Sequence, residues 1–182
     1  MTMFRRYTAS AHRAMARAGL LSLEAGRTVL DEDAVLLALA ETRPFEGPLG
    51  EFSLDAEAVR VSVVPPGEGE SLAALGIDTG RVRRRMAGLF PVDDPAHWHL
   101  RRSTVRPLRV TLYGPVGELV LTARARKVVE VAAHHGGTVV TGEDLLRGLL
   151  ADGRNRSISL LRHHGVPLHP LAAALGLTSR AA

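Results

Sequence analysis

LTARARKVVEVAAHHGGTVVTGEDLLRGLL, residues 121–150, is the stretch that decides the fold, because a weaker copy of it occurs near the start of the chain. The earlier copy occupies about residues 7–40 and contains the segments YTASAHRAMARAG and VLDEDAVLLALA. Both copies space apolar side chains three and four residues apart, which is typical of amphipathic helices. The sequence therefore predicts a duplicated helical unit.

Two pairs of equivalent positions place the copies in register: Thr8 falls on Thr122, and Asp33 falls on Glu143. Between these positions the later copy is shorter by about four residues, which is about one helical turn. Losing one turn rotates an apolar stripe only slightly, so both copies can keep the same packing face. We therefore predict an all-α fold: a pseudo-twofold duplicated four-helix repeat of about eight helices, with a small β addition from insertion and linker.

The copies also predict the domain organisation. We expect a first repeat over residues 1–90 with an insertion at about 42–69, a linker over 91–117, a second repeat over 118–177 and a frayed tail over 178–182, with both repeats packed as one domain. In the insertion, VRVSVV at residues 59–64 alternates as a strand does, and LRVTLY at residues 108–113 does the same. Because a lone strand leaves its backbone groups unpaired, we expect these two segments to form a small sheet.

Capping residues predict where the helices begin. Thr8 and Thr122 can each accept a hydrogen bond from the opening turn of a long helix. Asp31 is placed to cap the next helix of the first copy, and Thr141 with Asp144 resembles a capping box in the second. Further helical spacing occurs at residues 71–75, 81–89, 158–161 and 167–175.

Composition excludes several classes of function. The chain has 182 residues, 46% of them hydrophobic, and no cysteine, so it has no disulfides, no zinc–thiolate sites and no cysteine nucleophile. Lys127 is the only lysine and does not follow glycine, which excludes a P-loop. There is no Gly-x-Ser-x-Gly elbow and no paired set of acid–base groups, so we expect no enzymatic activity and no cofactor. No stretch is long enough to span a bilayer, and we expect a cytoplasmic protein.

Histidine pairs and an arginine run suggest two other functions. Histidines occur at 97 and 99, 134 and 135, and 163 and 164, but adjacent helical residues point about 100° apart, and no cysteine or clear carboxylate completes a metal site. Arg81, Arg84 and Arg85 could contact nucleic-acid phosphates. A basic nucleic-acid-binding regulator is therefore the alternative function, although such runs more often form a solvated helix face.

Five short segments carry a resemblance to a known family. They read MFRRYTASA at residues 3–11, DEDAVLLAL at 31–39, LGIDT at 75–79, TGEDLLRGL at 141–149 and HGVPL at 164–168. In this order they resemble the Clp N-terminal (Clp R) repeat domain, the substrate- and adaptor-receiving module of ClpA- and ClpC-type unfoldases. The resemblance covers both repeats and leaves out the insertion and the linker.

The resemblance implies a non-catalytic protein-binding module, free-standing and without the ATPase modules of its relatives. Its implied partners are a ClpC-type unfoldase, the substrates or adaptors of that unfoldase, and cyclic peptide antibiotics. Such a module could present substrates to the unfoldase or act as a decoy for them.

The resemblance also implies two phosphoarginine sites, one per repeat: Thr8 with Asp33, and Thr122 with Glu143. A capped helix start offers N–H groups to a phosphate, and a carboxylate can take the guanidinium. The first copy departs from the family pattern, because Asp33 replaces a glutamate and Asp31 and Glu32 add negative charge. The plainer interpretation is structural: both threonines cap helices, and Glu143 favours a helix dipole.

Two further residues are candidates for a hydrophobic groove. Relatives expose the aromatic equivalent to Phe4 in a groove that receives cyclic peptides, and the same alignment places Arg126 near that groove. The alternative for Phe4 is a place in the core.

Overall fold

The computed structural model describes residues 3–45, 49, 55–63, 94–106, 108–115 and 117–177. These residues form seven α-helices and four strands. The helices are α1 (Ala9–Glu24), α2 (Glu32–Thr42), α3 (Ala56–Val63), α4 (Ala123–His135), α5 (Gly142–Leu150), α6 (Arg156–His163) and α7 (Leu168–Ala174). The strands are β1 (Val29–Leu30), β2 (His99–Arg102), β3 (Val110–Gly114) and β4 (Gly117–Leu121). The predicted helical segments at 71–75 and 81–89, the turn at 75–79 and the tail lie outside the described residues.

The prediction of an all-α fold is wrong, because a four-stranded mixed sheet is part of the core. The strand order is β1-β4-β3-β2, with β1 parallel to β4 and the other pairs antiparallel. The sheet and the residue before β2 contribute seven buried side chains to the main hydrophobic cluster: Leu30, Trp98, Leu100, Val110, Leu112, Leu119 and Leu121. The fold is therefore mixed α/β.

Trp98 shows how closely helix and sheet pack. Its side chain is fully buried, and it lies between a glycine of α1 and a glycine of β3. A Cβ atom at Gly19 would be 2.3 Å from Trp98 Cζ3, and one at Gly114 would be 2.5 Å from the same atom. Both glycines therefore make room for the indole ring.

The predicted strand in the insertion is wrong as well, since residues 56–63 form helix α3. Val59 and Val63, four residues apart, are buried, whereas Val61 is 65% exposed. A strand would place all three on one face, but a helix separates Val61 from the other two. The Asp55 carboxylate also accepts hydrogen bonds from the first turn of α3.

The predicted pairing of this segment with the linker is therefore also wrong. The linker strand, β3, pairs instead with β2 and β4. The sheet is built from the linker, the first residues of the second copy, and two residues before α2.

Four of the predicted helix starts are confirmed. The side chains of Thr8, Asp31, Thr122 and Thr141 each accept a hydrogen bond from the backbone N–H three residues later. The helix of the second copy is also shorter, as predicted: α1 has 16 residues and α4 has 13. None of the helices in the described ranges is both long and apolar enough to cross a membrane.

Candidate functional site

Two reciprocal backbone links bring the helix starts of the two copies together. The Thr8 N–H donates to the carbonyl of Val140 at 2.9 Å, and the Thr122 N–H donates to the carbonyl of Leu30, also at 2.9 Å. We call residues 7–10 with residues 140–143 the glutamate corner. We call residues 30–33 with residues 121–124 the aspartate corner.

These links change the pairing of the candidate residues. The sequence comparison joins Thr8 to Asp33 and Thr122 to Glu143, within each copy. The backbone instead joins Thr8 to the segment that leads to Glu143, and Thr122 to the segment that leads to Asp33. A repeat alignment identifies equivalent positions, but it does not specify which copy supplies each half of a contact.

At the glutamate corner, Thr8 caps α1. Its Oγ1 accepts from the N–H of Ala11 at 3.2 Å and lies 3.0 Å from the hydroxyl of Ser10. The first four N–H groups of a helix have no acceptor within the helix, so those of Ala9 and Ser10 depend on groups outside it. The capping role alone explains why threonine occurs here, and Thr122 caps α4 in the same way.

Glu143 is the second residue of α5 and is half-buried. The cap of this helix does not depend on it, because the Thr141 hydroxyl and the Asp144 carboxylate form the capping box. Asp144 is further held by Arg147, whose Nη1 lies 2.9 Å from Asp144 Oδ1. Glu143 therefore places a carboxylate at the start of α5 in addition to the one that the cap uses.

At the aspartate corner, Asp33 is engaged within the fold. It is 5% exposed, its Oδ1 accepts from the hydroxyl of Ser157 at 3.1 Å, and its Oδ2 lies 3.3 Å from Nε of Arg156. Burial raises the pKa of the Asp33 carboxyl, and the Ser157 hydrogen bond and the Arg156 charge oppose that rise. Its carboxylate already holds a guanidinium from the same chain.

The two carboxylates before Asp33 are paired with arginines too. Asp31 Oδ2 lies 2.5 Å from Nη1 of Arg27, and Glu32 Oε1 lies 3.2 Å from Nη1 of Arg124. Three successive acidic residues at the start of α2 are thus each matched by a different arginine. A phosphoarginine ligand at this helix start would therefore have to compete with ion pairs within the chain.

Two of these arginines also hold the insertion. Arg27 Nη2 donates to the carbonyl of Val63 at 3.2 Å, and Arg156 Nη2 donates to the carbonyl of Ser62 at 3.0 Å. Both carbonyls belong to the last turn of α3, where the helix dipole favours positive charge. Arg27 and Arg156 therefore connect the end of α3 to the aspartate corner.

Sequence reasoning missed this arginine cluster. One signal for it was present, since Arg27 and Asp31 are four residues apart. Arg124 and Arg156 come from distant parts of the chain, and only the fold brings them to α2.

The Asp33 environment gives a testable prediction about stability. Asp33→Ala leaves the fully buried Ser157 hydroxyl without its acceptor, which we expect to lower the free energy of unfolding by about 1–3 kcal/mol. Asp33→Asn keeps an acceptor oxygen for Ser157 and should lower it by less. Urea denaturation of both variants measures the difference, and equal losses would contradict this assignment of the Ser157 bond.

The wild type and the Asp33→Asn variant also differ in their predicted pH dependence. Since the folded-state pKa of Asp33 is raised, its contribution to stability is largest below the unfolded pKa and is lost as the pH rises through the folded value. The amide that replaces this carboxyl in the variant stays neutral throughout. The stability of Asp33→Asn relative to the wild type should therefore increase from acid to neutral pH, as measured by urea denaturation across that range.

The groove candidates have other roles in this fold. Phe4 is 6% exposed and packs in the core, with its ring centroid 5.0 Å from that of Tyr7 and 4.2 Å from that of His12. Arg126 donates from Nη1 to the carbonyl of Leu108 at 2.8 Å and so braces the β2–β3 loop. The aromatic at position 4 is therefore not exposed in the way that the resemblance implies.

The remaining candidates are the histidines and the arginine run. Across the described ranges, no group of three or more His, Asp or Glu side chains is placed to hold a metal ion. Arg81, Arg84 and Arg85 lie outside the described residues. No family model matches the chain, and no curated protein matches it significantly.

Proposed function

We propose that this chain is a non-catalytic peptide-binding module of a Clp-type proteolysis system. It receives phosphoarginine-bearing substrates or adaptors and works beside a ClpC-type unfoldase in the cytoplasm, as a presenter or a decoy. The proposal combines the resemblance at residues 3–11 and 141–149 with the arrangement of the glutamate corner.

The observation that carries the proposal is the backbone link between Thr8 and Val140. It sets the start of α1 beside the start of α5, where Glu143 is half-buried. A phosphate can accept from the first N–H groups of α1, where the helix dipole favours negative charge. The guanidinium of the same ligand can make a charge-assisted pair with Glu143.

The proposal assigns one working site to the chain rather than two. At the aspartate corner the carboxylate of Asp33 is already paired with Arg156, and α3 is held across it. Asp33 is also only 5% exposed, whereas Glu143 is half-buried, so a ligand can reach Glu143 more readily. We therefore place ligand binding at the glutamate corner.

Cyclic peptides and nucleic acid are not part of this proposal. The buried side chain of Phe4 gives no support to an aromatic-lined groove. The nucleic-acid alternative depends on arginines outside the described residues, and no contact in the described part favours it.

Calorimetric titration with a phosphoarginine peptide tests the proposal. We expect saturable binding with one ligand per chain, and Glu143→Gln should weaken it about tenfold or more, because a hydrogen bond to a charged group contributes about 1.5–3 kcal/mol. Glu118→Gln is the matched control, since Glu118 is an exposed glutamate on β4. Absence of binding to the wild type, or equal affinity of the two variants, would contradict the proposal.

A further inference from the structure

The hairpin of β2 and β3 is the most basic surface segment in the described part of the chain. Between Pro95 and Gly117 the sequence has four arginines, two histidines and no acidic residue. We call β2, β3 and the loop between them, residues 99–114, the basic hairpin. The proposed function at the glutamate corner does not involve these basic residues.

The base of the basic hairpin packs into the hydrophobic core. Leu100 and Leu112 are fully buried and anchor it in the core. The loop is closed by two backbone hydrogen bonds, from Ser103 N–H to the Arg109 carbonyl at 2.9 Å and from Arg109 N–H to the Arg106 carbonyl at 2.8 Å. The Arg126 guanidinium also donates to the carbonyl of Leu108, which ties the described part of the loop to α4.

The loop exposes two aliphatic side chains beside its arginines. Val105 is 86% exposed and Leu108 is 71% exposed, the highest values among the large apolar residues of the described ranges. Val105 and Leu108 are three residues apart in one loop that is closed by backbone hydrogen bonds. Arginine beside apolar groups is also the composition that protein interfaces favour.

The arginines of the hairpin differ in how they are engaged. Arg102 pairs with Glu130 at 2.7 Å, and the guanidinium of Arg101 lies 5.7 Å from the ring centroid of Tyr113. Along the loop, Arg106 lies between Val105 and Leu108, and Arg109 follows Leu108. Among the described residues, the side chains of both arginines have no ion-pair or hydrogen-bond partner. Arg106 is thus exposed with the two aliphatic side chains, and Arg109 next to Leu108 is half-buried.

We propose that the basic hairpin docks an acidic segment of a partner protein that carries aliphatic side chains between its carboxylates. Carboxylates match Arg106 and Arg109, and aliphatic groups cover Val105 and Leu108. Nucleic acid fits less well, because no aromatic ring in the described part of the loop is placed to stack on bases. A bilayer also fits less well, since the loop sequence lacks the tryptophan and tyrosine that anchor proteins at membrane interfaces.

Fluorescence anisotropy with a labelled peptide of alternating glutamate and leucine tests this inference. We expect saturable binding that weakens about tenfold in the double variant Arg106→Gln, Arg109→Gln, and by a similar factor in Val105→Ser, Leu108→Ser. All four positions lie in the loop rather than the core, and circular dichroism checks that the variants fold. A peptide of alternating glutamate and serine should bind more weakly.

Three results would overturn the inference. They are equal binding of the leucine and serine peptides, unchanged affinity in both double variants, and tighter binding of single-stranded DNA or anionic vesicles than of the acidic peptide. Glu143→Gln should leave the anisotropy titration unchanged, so this inference and the proposed function can fail separately.

Discussion

Trp98→Ala is expected to lower the free energy of unfolding by about 3–5 kcal/mol, the usual range for deleting a large buried aromatic side chain. The indole ring is fully buried and is contacted by α1 and β3 where Gly19 and Gly114 leave space for it. Its removal opens a cavity between the helical layer and the sheet. The backbones on both sides belong to a helix and to a paired strand, which limits how far that cavity can collapse.

Urea denaturation of the variant measures this loss. Tyr113→Ala is the matched control, because Tyr113 is an aromatic residue of β3 that is 39% exposed. We expect the control to lose about 1 kcal/mol or less. If both variants lose the same stability, the sheet does not share the core with α1 as described.

Gly148→Ala is expected to lower the free energy of unfolding by about 1–3 kcal/mol, although alanine has the higher helix propensity. A Cβ atom at Gly148 would lie 2.3 Å from the carbonyl oxygen of Val128. Because that oxygen belongs to the backbone of α4, no side-chain rotation relieves the contact, and α4 and α5 must move apart. The overlap should outweigh the propensity gain of about 1 kcal/mol.

Thermal denaturation of Gly148→Ala measures the effect. Ser159→Ala is its control, since Ser159 is exposed on α6 and its change alters propensity without a steric contact. We expect the control to be neutral or slightly stabilising. A stabilising Gly148→Ala would contradict the close approach of α4 and α5.

The helix starts could be predicted from the sequence because capping is local. Thr8, Asp31, Thr122 and Thr141 each act on an N–H only three residues away, so the sequence around each contains the whole interaction. The shortened helix of the second copy is equally local. These features do not depend on where other segments lie.

The sheet and the insertion helix could not be predicted in the same way. Alternation over six residues suits a strand, but Val59 and Val63 also share a helix face, and local pattern alone does not decide between the two. The burial of Trp98 depends on glycines in α1 and β3, which the alignment of repeats leaves unconnected. Strand pairing is a long-range choice that the surrounding core decides.

The alignment of the repeats could pair the candidate residues by position, but it could not predict their contacts. Asp33 and Glu143 are equivalent by alignment, yet Asp33 is buried against Ser157 and Arg156, whereas Glu143 is half-buried at another corner. The difference comes from the insertion and from arginines far away in sequence. Equivalent positions in a repeat can therefore have different chemistry.

Nuclear magnetic resonance of nitrogen-15-labelled protein tests the central claim most directly, because it locates the ligand by residue. Titration with a phosphoarginine peptide should shift the backbone amides of Thr8, Ser10 and Glu143 in a saturable way, while those of Thr122 and Asp33 change little. The same shifts should be lost in Glu143→Gln. Saturable shifts confined to Thr122 and Asp33, or no shift at either corner, would contradict the account.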